Sequence, residues 1–111
     1  CAYQLAERGY QVVLHEMRPA VLTPAHKTGF SAELVCSNSF GSLSLESAPG
    51  QLKWEAERLG SLILSAAWQS QVPAGQALGM DRELFSRTID QRLRNHPRIR
   101  FEPYAVISVD Q

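Results

Sequence analysis

Ala2-Tyr3-Gln4-Leu5-Ala6-Glu7-Arg8-Gly9, followed by Gln11-Val12-Val13-Leu14-His15-Glu16, is the stretch from which the fold class is read. Ala2, Leu5 and Ala6 fall on one side of a helix, and Gly9 suits the left-handed position after a last turn. Val12 to Leu14 is a short β-branched and apolar run, the composition of a buried parallel strand. An acid, Glu16, ends it. Helix, glycine, strand and terminal acid form the second half of a strand–helix–strand unit of the dinucleotide-binding kind. The expected class is therefore α/β. An acid in that place accepts hydrogen bonds from ribose hydroxyls and disfavours a 2′-phosphate. An exposed strand end would account for Glu16 equally well.

Working outward, the chain opens on Cys1 in what reads as the back half of a helix. The sequence thus predicts part of a dinucleotide-binding domain over 1–111 that lacks its first strand and Gly-rich turn. Residues 19–48 carry no sustained period and are rich in Ser, Thr, Gly and Asn, as a long functional loop is. A helix is expected near 50–68, from the apolar spacing of Leu52, Ala56, Leu59, Leu62, Ile63, Ala66 and Ala67. On that one helix Trp54 and Trp68 share a face as packing material. Val72-Pro73-Ala74-Gly75 breaks it, and Ala77-Leu78-Gly79-Met80 is a short extended stretch. Asp81 caps a second helix, near 82–95, which ends before Pro97. Ile99 to Glu102 reads as a strand, and Tyr104, Val106, Ile107 and Val109 as another.

Composition excludes several classes. The 111 residues hold 11 Lys plus Arg and 11 Asp plus Glu, so no overall basic surface for a polyanion is present. Cys1 and Cys36 are too few for a disulfide scaffold and suit a reducing, cytoplasmic setting. No apolar run is long enough for a membrane helix, and no membrane partner is expected. His15, His26 and His96 lack metal-ligand spacing, and no metal is expected. His15 reads as strand packing, His96 as a helix end, and His26 as a polar-site candidate. Arg18 and Lys27 are candidates to meet phosphate or a carboxylate.

Cys36 lies in Glu33-Leu34-Val35-Cys36-Ser37-Asn38-Ser39 within the long loop. A thiolate attacks an electron-poor carbon or takes up a proton. A half-buried thiol beside Leu34 and Val35 is the plain alternative. Asn38 and the neighbouring hydroxyls either line a site or cap local turns. Cys1 reads as inert.

These blocks carry a family resemblance. Glu16-Met17-Arg18-Pro19, Thr23-Pro24-Ala25-His26, Ala32-Glu33-Leu34-Val35-Cys36-Ser37-Asn38-Ser39, Arg58-Leu59-Gly60-Ser61-Leu62-Ile63 and Val72-Pro73-Ala74-Gly75 are similar, in order, to the bacterial folate- and FAD-dependent tRNA (uracil-5-)-methyltransferases. The resemblance spans nearly the whole chain. It implies a truncated FAD-binding, Rossmann-like fold of the two-dinucleotide-binding flavoprotein type. It further implies methylenetetrahydrofolate as one-carbon donor, NAD(P)H as reductant, and C5 of the T-loop uridine in tRNA as the methylated position. Cys36 would be the motif cysteine and Asn38 a lining residue. Glu16 would meet the FAD adenosine ribose, with Met17 and Arg18 beside the adenine and pyrophosphate. The piece alone is expected to be inactive, and oligomeric state is open. A related tRNA wobble-uridine flavoprotein and a small-molecule flavin oxidoreductase are the alternatives. Phe40-Gly41-Ser42 departs from the family's Leu-Arg-Ser at the same place.

Overall fold

The computed structural model describes residues 1–108. Helix α1 (Ala2–Glu7) ends at Gly9, whose φ of +94° is the left-handed geometry that a Cβ disfavours. The chain then enters β1 (Val12–His15), which pairs in parallel with β5 (Ile99–Glu102), from Val12 opposite Ile99 to His15 opposite Glu102. Between them lie β2 (Ser39–Ser42), α2 (Ala48–Arg58), α3 (Leu62–Gln69), β3 (Gln71–Val72), β4 (Ala77–Met80) and α4 (Arg82–Arg94). Strands β2, β4 and β3 form a second, antiparallel sheet in that order.

One core joins the two sheets. Ala6, Leu64, Ala66, Ala67, Leu78, Met80, Phe85, Ile89, Leu93 and Ile99 form it, with Val12, Leu14 and Phe101 packed at its edge. Helices α1 and α4 lie against β5, and α3 packs on both α4 and β4. The observed α/β order, with its parallel pair, is consistent with a Rossmann-like topology.

The structure alters several expectations. Strand β1 is covered on one face only: Val12 and Leu14 face the core, whereas Val13 is 47% exposed and His15 lies edge-on to Tyr104 at 4.9 Å. Alternation, not burial on both faces, describes it. In α1, Ala6 is buried while Leu5 faces outward. The loop over 19–48 contains β2, and α2 starts at Ala48, with the Ser47 hydroxyl accepting from Gly50 N–H.

The helix expected over 50–68 is two helices. Gly60, at φ +71°, turns the chain out of α2, and Ser61 caps α3 by accepting from Leu64 N–H. Trp54 and Trp68 therefore sit on separate helices, both partly exposed, and Arg58 covers the Trp54 ring at 3.8 Å. Leu52 and Leu59 face outward; Gly50 and Lys53 are the buried residues of α2, Ala56 packs against the core, and the Lys53 ammonium donates to the carbonyls of Ser42 and Pro49. Burial lowers the Lys53 pKa. Asp81 caps α4 through Leu84 N–H at 2.8 Å. Residues 104–108 form no strand, and Val109 lies outside the described residues.

Candidate active-site loop and strand-end acid

Glu16 follows β1, with its N–H still on the Glu102 carbonyl at 3.0 Å, so the sheet fixes where its side chain starts. Its carboxylate is claimed by Arg18. Oε1 accepts from Arg18 N and Nε, both at 3.0 Å, and Oε2 accepts from Nη2 at 2.8 Å. The Arg18 side chain is only 9% exposed and Glu16 22%. Those hydrogen bonds outweigh the cost of burial and hold Glu16 below the ordinary glutamate pKa.

The other end of the guanidinium faces Glu33. Arg18 Nη1 stands 3.6 Å from Glu33 Oε2, beyond hydrogen-bond reach, and is buried without a partner. Glu33 accepts instead from the amides of Lys27 and Thr28, at 3.0 and 3.1 Å. Burial pushes its pKa up, but those amide bonds prevail and hold it low. Arg18 is thus committed to two acids of its own chain. Nη1 keeps its N–H donors without a hydrogen-bond partner.

The backbone before Glu33 is pinned to α4. Asp90 accepts from Ser31 N–H and Ser31 hydroxyl, both at 3.0 Å, and from Arg94 Nε at 2.7 Å. Ala32 then takes φ +59°, left-handed geometry that costs an alanine about 1–2 kcal/mol. Such a conformation persists where its surroundings over-determine it.

Cys36 is a free, exposed cysteine in the span that follows. Its carbonyl accepts from Arg82 Nη2 at 3.4 Å. Two residues on, the Asn38 side-chain amide donates to the Met80 carbonyl at 3.2 Å, which makes it an anchor on β4. A cleft of about 460 Å³ lies beside this span, between Lys27, Phe30, Glu33 and Val35 on the loop and Arg82 and Ser86 on α4. His26 Nδ1 meets the Thr23 hydroxyl, and His96 Nε2 lies 3.0 Å from Glu7, far along the chain from Cys36. Cys1 is exposed.

The structure brings Glu16, Arg18 and Glu33 together as a cluster of charges at the start of the span that bears Cys36. Glu33, Asp90, Ser31 and Arg82 were not singled out as site residues in the sequence. Their partners lie up to 59 residues away, and no local pattern marks them. Among the described residues no group of three or more His, Cys, Asp or Glu is placed to hold a metal ion, and no helix is long and apolar enough to cross a membrane.

Fold and site define an α/β protein in which a parallel strand ends in a guanidinium-bound acid and an anchored loop presents a free thiol. Comparison with known families is more specific. The chain belongs to the family described as glucose inhibited division protein A, whose model matches residues 1–111. It is 62% identical over 110 residues to a methylenetetrahydrofolate–tRNA-(uracil-5-)-methyltransferase, TrmFO, of Bdellovibrio bacteriovorus, covering 99% of this chain and 25% of that protein. Proteins of the same name from Aquifex aeolicus and Natranaerobius thermophilus are 53% and 50% identical, over 88% and 99% of this chain and 22% and 25% of their own lengths. The chain thus spans about a quarter of the length of these curated relatives.

Proposed function

We propose that the protein acts, within a chain as long as those relatives, in folate-dependent methylation of C5 of a T-loop uridine in tRNA, in the cytoplasm. Methylenetetrahydrofolate is the carbon donor, and FAD reduced by NAD(P)H is the cofactor. The identity of 62% to a protein of that name, over 99% of this chain, carries the reading.

The residues present fit the adenosine end of FAD. A carboxylate offers about four lone-pair sites, and Arg18 takes three of those on Glu16, so one remains for a ribose hydroxyl. Glu16, Met17 and Arg18 hold that end of the cofactor, with Arg18 also orienting the Glu16 carboxylate. When bound, the flavin supplies the reducing equivalents. Cys36 supplies the thiol that meets the uracil ring, as nucleophile at C6 or as base at C5. Asn38 anchors the span that carries Cys36, and Arg82 holds its carbonyl.

The test gives the intact protein tRNA, labelled methylenetetrahydrofolate and NAD(P)H. Label at C5 of the T-loop uridine is expected without S-adenosylmethionine. Dependence on S-adenosylmethionine would overturn the reading. Modification of a wobble uridine instead would assign the protein to the related flavoproteins.

A further inference from the structure

Cys36 lies on a span held from both sides. Before it, Ser31 is bound to Asp90, Ala32 is left-handed, and the Glu33 carboxylate takes the amides of Lys27 and Thr28. After it, Asn38 and Met80 exchange two hydrogen bonds. Glu33 is also the link to the strand-end acid, because the one guanidinium that binds Glu16 stands 3.6 Å from Glu33 Oε2. Its side chain is 13% exposed, so water does little to weaken these attractions.

We propose that Glu33 is a positioning residue for Cys36, acting through the main-chain amides of Lys27 and Thr28. The inference rests on the reading of Cys36 given above. Only an ionised carboxylate suits the place. It faces two N–H groups and a guanidinium, all donors, and offers acceptors alone. A glutamine of the same volume turns an NH2 group toward one of those donors. The bond it breaks lies three residues from the thiol, at the point where the loop is fixed to the end of β1.

The test compares wild type, Glu33→Gln and Glu33→Asp in the intact, flavin-loaded protein. In E33Q, hydrogen exchange at the Lys27 and Thr28 amides is expected to rise roughly tenfold, since a charge-assisted bond is lost. The kcat for tRNA methylation falls about tenfold or more while KM and bound flavin change by less than about twofold, because the thiol is misplaced and binding is not. E33D keeps the charge one methylene short, so both effects are smaller; it carries the test if E33Q yields no folded protein. Unchanged exchange, unchanged kcat, or a kcat loss matched by an equal loss of flavin overturns the proposal. If wild type methylates no tRNA, the functional reading itself fails. Glu33 is then judged by the alkylation rate of Cys36 with iodoacetamide, expected to differ at least about threefold between wild type and E33Q if the thiol's setting changes. Equal rates overturn it.

Discussion

Asn38 and Met80 are joined by two hydrogen bonds that run in opposite senses. Met80 N–H donates to the Asn38 carbonyl at 2.8 Å, and the Asn38 side-chain amide donates to the Met80 carbonyl at 3.2 Å. The pair continues the β2–β4 pairing beyond Ser39 and fixes the chain just after Cys36. Asn38→Asp sets a carboxylate oxygen against that carbonyl. The expected loss is about 1–2 kcal/mol, read as a lower denaturant midpoint, with slower methylation. Unaltered stability in N38D would show that the second bond contributes nothing.

Gly50 reverses a general rule. Alanine in place of a helical glycine ordinarily stabilises by about 1 kcal/mol. Here a Cβ on Gly50 would lie 1.8 Å from the Ser44 carbonyl oxygen and 2.5 Å from its carbon. Main chain cannot swing aside as a flexible side chain does. Gly50→Ala is expected to cost at least about 2 kcal/mol and lower the melting temperature by several degrees. A gain in melting temperature would contradict the close approach.

Acid should loosen the loop. Glu16 and Glu33 are both held below the ordinary glutamate value of 4.5. A carboxyl depressed in the folded state contributes stability that is complete above its unfolded value and is lost as pH falls through the folded one. Stability measured by thermal melting is therefore expected to drop as pH falls below about 4.5, and less steeply in E16Q/E33Q than in wild type. Equal slopes in the two proteins would place the acid sensitivity elsewhere.

Flavin retention and chemistry should separate. Cys36→Ala in the intact protein is expected to keep its flavin and lose methylation by a factor on the order of 100 or more. Glu16→Ala weakens flavin binding, measured by titration, because the acceptor for the ribose is gone. Full methylation by C36A, or unchanged flavin affinity in E16A, removes the role assigned to that residue.

Local chemistry made much of the fold legible. Gly9 closes α1, Asp81 opens α4, and Val12 to His15 and Ile99 to Glu102 are strands as expected, although β1 alternates in burial where its composition suggests a strand covered on both faces. The Gly60 break was harder to see, since helical spacing on either side of it continues in register while the backbone turns left-handed. Strand β2 was hidden because Ser39-Phe40-Gly41-Ser42 shows no apolar alternation and owes its pairing to β4. The site divides likewise. Cys36 and Glu16 stand out by residue type and context. Arg18 with Glu33, and Ser31 with Asp90, are pairings that exist only once distant segments meet.

Strands β1 and β5 pair across the intervening residues 16–98. Closing so long a loop costs on the order of 4 kcal/mol in chain entropy, which a pair of four-residue strands repays only late. The β3–β4 hairpin with α3 and α4 is local and can assemble first. In refolding followed by pulsed hydrogen labelling, Leu78 and Met80 should gain protection ahead of Val12 and Glu16, whose amides donate to the β5 side. The strand-end acid would then be the last part of the site to reach its place, arriving at a cysteine loop already moored to β4 and α4.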